Sequence, residues 1–178
     1  MTPLRRTLLL AGVGGLAAVA GYVAHLARIS DLGGSAVPDL GEKILGSRLL
    51  GLDGVALDLT AFRGRILVVN YWATWCAPCR EEIPMFVRIQ REYAAKNVQF
   101  IGIAIDQLAK VREFAKEFQV NYPLLIGAMD SMELSREAGN KAGVLPYTLI
   151  INPVGQIAAN LVGGISEARM RSTLQPLL

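Results

Sequence analysis

The sequence predicts an α/β domain with a mixed sheet, and three observations carry that prediction. From residue 65 onward, apolar runs of strand length alternate with stretches of helical periodicity. The runs at 65–71 and 98–105 are almost continuously apolar, which is how central strands covered on both faces read. The chain then finishes on two short apolar runs, 149–151 and 157–162, around Asn152-Pro153-Val154-Gly155, the pattern of an antiparallel hairpin.

Taken in order, residues 1–6 carry Arg5 and Arg6 ahead of an uncharged run over 7–27. At ~1.5 Å per residue that run is close to the ~20 residues needed to span hydrocarbon. The expectation is a transmembrane anchor or signal segment. Absence of charge before Arg28 favours the anchor, whereas Ala18-Val19-Ala20 resembles a cleavage site. The leading arginines place the stub in the cytoplasm and the body across the membrane. Arg5-Arg6 also fits a twin-arginine signal, although two arginines precede the apolar run of many signals. Residues 30–46 are rich in Gly, Ser, Pro and Asp and read as a linker. The expected organisation is a cytoplasmic stub at 1–6, the anchor or signal segment at 7–27, a linker at 28–37 and a folded domain at 38–178.

Within that domain, Asp53-Gly54 between two short apolar runs at 48–59 signals a hairpin, and 60–64 turns into the strand at 65–71. Residues 80–96 have helical spacing, with Ile83, Phe86, Val87, Ile89 and Tyr93 sharing a face. Pro84 is expected to kink that helix rather than end it, because the periodicity resumes at once. A strand at 98–105, a helix at 109–118 and a short strand at 122–126 follow. Asp130 with Glu133 three residues on reads as a helix start, and Ser166 as the cap of a C-terminal helix.

Composition narrows the function. The 178 residues are 52% hydrophobic, enough to bury a core without covalent staples. The only two cysteines, Cys76 and Cys79, close too short a loop to constrain an unfolded chain, so reactivity explains them better than stability does. Arg5, Arg6 and Arg28 account for the whole net charge of +3, which leaves the body neutral and argues against a nucleic-acid surface. The one histidine, His25, lies in the N-terminal segment, so Cys–His catalysis in the domain is excluded.

The segment Val68-Val69-Asn70-Tyr71-Trp72-Ala73-Thr74-Trp75-Cys76-Ala77-Pro78-Cys79-Arg80-Glu81-Glu82-Ile83-Pro84, with Leu145-Pro146-Tyr147-Thr148 and Asn152-Pro153-Val154-Gly155 downstream, resembles the thioredoxin superfamily. More narrowly, it is similar to the membrane-anchored TlpA/ResA/DsbE group of bacterial thiol–disulfide oxidoreductases, from about residue 38 to the C-terminus. The resemblance implies a thioredoxin-like mixed β-sheet flanked by helices, with an N-terminal β-hairpin extension and a membrane anchor. It implies a bacterial inner-membrane, single-pass protein with its domain in the periplasm. A cis-proline loop at Leu145-Pro146 would face the cysteines and offer backbone groups to an extended substrate chain.

The chemistry is derivable beside the resemblance. A helix starting at the cysteine pair sets Cys76 at the positive end of its dipole among unpaired N–H groups, which favours thiolate. Cys76 is therefore the attacking sulfur and Cys79, one turn further in, the shielded resolving one. Pro78 lacks an N–H and suits the first helical turn. Trp75 is assigned to the substrate-facing rim and Trp72 to packing.

Two departures from the superfamily matter. Asn70 stands where thioredoxin carries a buried aspartate, and an amide cannot relay a proton. Asp106, at the end of the second central strand, is the candidate proton acceptor, with helix capping as its alternative reading; Glu81 and Glu82 are read as solvated first-turn acids. Ala77 removes the acid that some relatives place between the cysteines.

Three functions stay open. The first is an extracytoplasmic reductase needing no cofactor. It would act on a protein thiol/disulfide substrate, apocytochrome c or a copper-assembly protein, and be recharged by a membrane electron donor of the DsbD/CcdA type. The second is a disulfide-forming oxidase. The third is a binding module holding Cu(I) on the two thiolates, zinc being a poor fit to two thiols and no domain histidine.

Overall fold

The structure, a computed structural model, describes residues 40–178. The stub, the anchor or signal segment and the linker expected at 1–37 lie outside the described residues. Among the described residues, no helix is long and apolar enough to cross a membrane. That finding corrects the expectation of a single-pass inner-membrane protein with a periplasmic domain, which rested on the apolar run at 7–27, the arginines before it and the family resemblance.

A seven-stranded mixed sheet forms the centre, in the order β2-β1-β5-β4-β3-β6-β7. Its strands are β1 (Arg48–Gly51), β2 (Ala56–Asp58), β3 (Ile66–Trp72), β4 (Val98–Ala104), β5 (Leu124–Ile126), β6 (Tyr147–Ile151) and β7 (Ile157–Val162). The helices are α1 (Leu40–Leu45), α2 (Ala77–Tyr93), α3 (Leu108–Glu117), α4 (Met129–Glu137) and α5 (Glu167–Leu174). β3, β4 and β5 run parallel, and the β1–β2 and β6–β7 hairpins extend the sheet antiparallel at either end.

Every residue of β3 is buried, because both faces of the sheet are covered. Alternation along β3 divides its side chains between two cores. Ile66, Val68 and Trp72 join Ile83 and Phe86 of α2, Val111 and Phe114 of α3 and Met170 of α5. Leu67, Val69 and Tyr71 join Ile44 and Leu45 of α1 and Ala138 at the end of α4. Gly102 of β4 leaves the space that Trp72 and Leu124 fill: a Cβ there would come within 2.9 Å of Trp72 Nε1 and 2.5 Å of Leu124 Cδ2.

Most elements fall where the periodicity places them, and α2 runs unbroken through Pro84. Two differ. Residues 40–45, read as linker, form α1, whose Ile44 and Leu45 are buried. α4 begins at Met129 with Ala128 in the capping position, so Asp130 lies inside the first turn instead of capping it.

Candidate active site

β3 delivers the chain to the carboxyl end of the parallel strands, where α/β sheets hold their sites. Ala73, Thr74 and Trp75 turn the backbone, and Cys76 takes the N-cap position of α2 with extended backbone angles and no side-chain cap. Cys76 and Cys79 are joined in a disulfide with Cα atoms 5.3 Å apart. Cys76 is 6% exposed and Cys79 fully buried. Pro78 sits exposed in the first turn, where its missing N–H costs nothing.

Thr74 is held at both its peptide groups. Its N–H donates to Asp106 Oδ2 at 3.0 Å and its hydroxyl donates to the same oxygen, while its carbonyl accepts from Arg80 Nη1 at 3.3 Å. The Arg80 guanidinium lies over the Phe114 and Phe118 rings, 5.3 and 5.4 Å from their centroids. The turn before Cys76 is thereby tied to the end of β4 and to α3, and Trp75 projects from it 69% exposed. Asp106 does not cap α3, which starts from Gln107. Its partial burial pushes the carboxyl up, but the hydrogen bonds from Thr74 and the Gln107 N–H outweigh this and hold it below the usual carboxylate range. Such a group is a poor proton acceptor.

Glu82 is the residue that sequence reading misplaced. It is 4% exposed, one turn beyond Cys79 on α2. Oε1 accepts from Asn70 Nδ2 at 3.0 Å, and Oε2 accepts from the Ile165 N–H at 3.1 Å. Burial pushes its carboxyl up to about 7, against the lowering effect of those two donors. A signal was present: Cys79, Glu82, Ile83 and Phe86 follow the i, i+3, i+4, i+7 spacing of one helix face. Glu82 also reaches a surface cleft of about 410 Å³ lined with Pro78, Glu81, Met85 and Gly164. Glu81 is exposed.

The Leu145–Pro146 bond is cis. The loop before it is built by Asn140, a buried residue with no sequence signal, whose amide accepts from the Val144 N–H at 3.0 Å and donates to the Val144 carbonyl at 2.9 Å. Pro146 donates nothing, and its carbonyl accepts from the Gly163 N–H at 2.9 Å. Among the described residues the N–H and C=O of half-buried Leu145 make no hydrogen bond. Among the described residues no group of three or more His, Cys, Asp or Glu is placed to hold a metal ion.

Residues 34–160 match the AhpC/TSA family. The chain belongs to the AhpC/TSA family. Within it, the chain is 25% identical over 121 residues to the thiol-disulfide oxidoreductase ResA of Bacillus subtilis (strain 168), an alignment covering 65% of this chain and 63% of that protein. It is 26% identical over 147 residues to ResA of Oceanobacillus iheyensis, covering 81% of this chain and 72% of the relative. Among solved structures, a thiol:disulfide interchange protein of the thioredoxin family from Chlorobium tepidum TLS superposes with a TM-score of 0.67 at 27% identity, over 74% of this chain and 92% of that one. The fold of this AhpC/TSA member is thioredoxin-like, and its homologues are thiol-disulfide oxidoreductases.

Proposed function

We propose that the protein is a thiol–disulfide oxidoreductase working as a protein-disulfide reductase through Cys76 and Cys79. The observation that carries this reading is the cysteine pair at the start of α2 with a buried carboxyl, Glu82, one turn beyond Cys79. In the reduced protein the Cys76 thiolate, favoured by the helix dipole, attacks one sulfur of a substrate disulfide and expels the other as thiolate. Cys79 then attacks Cys76 Sγ, releasing the second substrate sulfur and closing the Cys76–Cys79 disulfide.

Two electrons pass to the substrate, and an external dithiol donor, of the DsbD/CcdA type, returns the pair to the reduced state. The thiol of fully buried Cys79 must lose a proton before it attacks, and Glu82, held near neutrality, is the acceptor assigned here in preference to Asp106. The substrate lies extended along Leu145-Pro146 against Trp75, with an apocytochrome c or a copper-assembly protein as the favoured class.

Cys79→Ser, expressed in the full chain, leaves Cys76 unable to be released. The expected result is a mixed disulfide on Cys76 with a cysteine-pair protein, and its identity selects between the cytochrome and copper readings. Absence of any adduct, with Cys76 reduced and accessible, contradicts the reaction. The reductase direction predicts a potential well below the ~ −120 mV of a strong oxidant.

A further inference from the structure

Asn70 shares a face of β3 with Val68 and Trp72, beneath α2. An apolar side chain would suit that position. Asn70 is 2% exposed, and its Oδ1 has no hydrogen-bond partner among the described residues. A buried acceptor left unpaired is destabilising, so packing does not explain the amide. Its donor end does: Nδ2 lies 3.0 Å from Glu82 Oε1 and 3.0 Å from Thr148 Oγ1, while the Ile165 N–H occupies Glu82 Oε2. Each oxygen of the carboxylate thus meets one donor, from two separate elements of the fold.

We propose that Asn70 is a positioning residue for Glu82, fixing the carboxylate one helical turn from Cys79 and setting how readily it takes the proton that the buried thiol must lose. A donor aimed at the charged form lowers proton affinity, and its removal raises it. The remaining charged or titratable neighbours are few. Glu81 and Arg88 come from α2 itself, and Glu167 from α5, where it pairs with Arg88 at 2.8 Å. Tyr122, ahead of β5, senses the Glu82 charge, and β3 and β6 present the neutral Asn70 and Thr148. Arg88 is engaged by Glu167, which leaves the Asn70 amide as the side-chain donor to Glu82.

The significance of this placement for turnover rests on the reaction proposed above, but its test does not. In the full chain, in the disulfide form, the Glu82 carboxyl carbon and the Asn70 side-chain amide are titrated together by NMR, with Glu82→Gln assigning the signal. The Asn70 amide is expected to move with the same midpoint as Glu82 and to stop moving in Glu82→Gln. In Asn70→Leu and Asn70→Asp the Glu82 midpoint is expected to rise by about one pH unit or more, a tenfold or greater gain in proton affinity. An Asn70 amide in the wild type that ignores the titration of Glu82, or an unchanged midpoint in a folded Asn70 variant, overturns the proposal. Coupled titration in a protein that shows no disulfide exchange refutes the reaction and still supports the role of Asn70.

Discussion

At Glu82 the cost of burial becomes a measurable dependence on pH. Its carboxyl stands at about 7 in the fold against 4.5 ordinarily. Between those values the folded protein holds a proton that the unfolded chain has released, so stability falls as pH rises through that window, by about 3 kcal/mol in all. Denaturant titrations of the disulfide form from pH 4 to 9 are expected to show this decline in the wild type and to lack it in Glu82→Gln. The same variant is expected to slow resolution and to remove a midpoint near 7 from the pH profile of exchange. Asp106→Asn is expected to leave that midpoint in place, because Asp106 serves Thr74 instead; a shifted midpoint in Asp106→Asn reverses the assignment. The place of Cys76 and Cys79 at the start of a helix after a buried strand was legible in the sequence. Glu82 was not: it reads as a solvated first-turn acid if the helix is taken to start near Arg80, whereas α2 starts at Ala77 and sets Glu82 in its second turn, on the Cys79–Ile83–Phe86 stripe.

α2 is the element on which the site depends, since it carries both cysteines and Glu82 and anchors them through an apolar face. Phe86 is fully buried against Phe100, ring centroids 5.3 Å apart. Phe86→Ala is expected to cost about 3–5 kcal/mol in equilibrium unfolding, and a loss under about 1 kcal/mol contradicts this packing. The turn that feeds α2 is held from outside: Asp106→Ala deprives Thr74 of two hydrogen bonds to a charged group and is expected to cost about 1–2 kcal/mol, with altered Trp75 fluorescence. The long elements were readable from period and length. α1 was not, because six residues are too few to establish a period and Gly41 reads as linker; in the fold, that glycine lets α1 approach the backbone at Gly155, where a Cβ would collide with the carbonyl. The Asn140 bracket around Val144 joins a residue to a loop whose conformation no local pattern announces.

Over the whole molecule, the mixed sheet, the cysteine pair at the start of α2 and the cis-proline loop compose a thioredoxin-like member of the AhpC/TSA family, with ResA proteins among its relatives. Apart from α1, the strands and helices were legible as alternating apolar and periodic runs, because the apolar side chains of each are buried in the two cores. Membrane placement was read from residues 7–27, outside the described part, and the described helices do not supply it. In the reaction proposed above, substrate choice falls to the surface around Trp75 and Leu145, which a linear pattern does not encode. The central claim is that Cys76 is the attacking sulfur. Its most direct test is the rate at which the reduced full chain and its Cys76→Ser variant reduce the disulfides of insulin or a scrambled protein. Turnover by the wild type that falls to background in Cys76→Ser is the expected result, and wild-type turnover in Cys76→Ser would contradict the account.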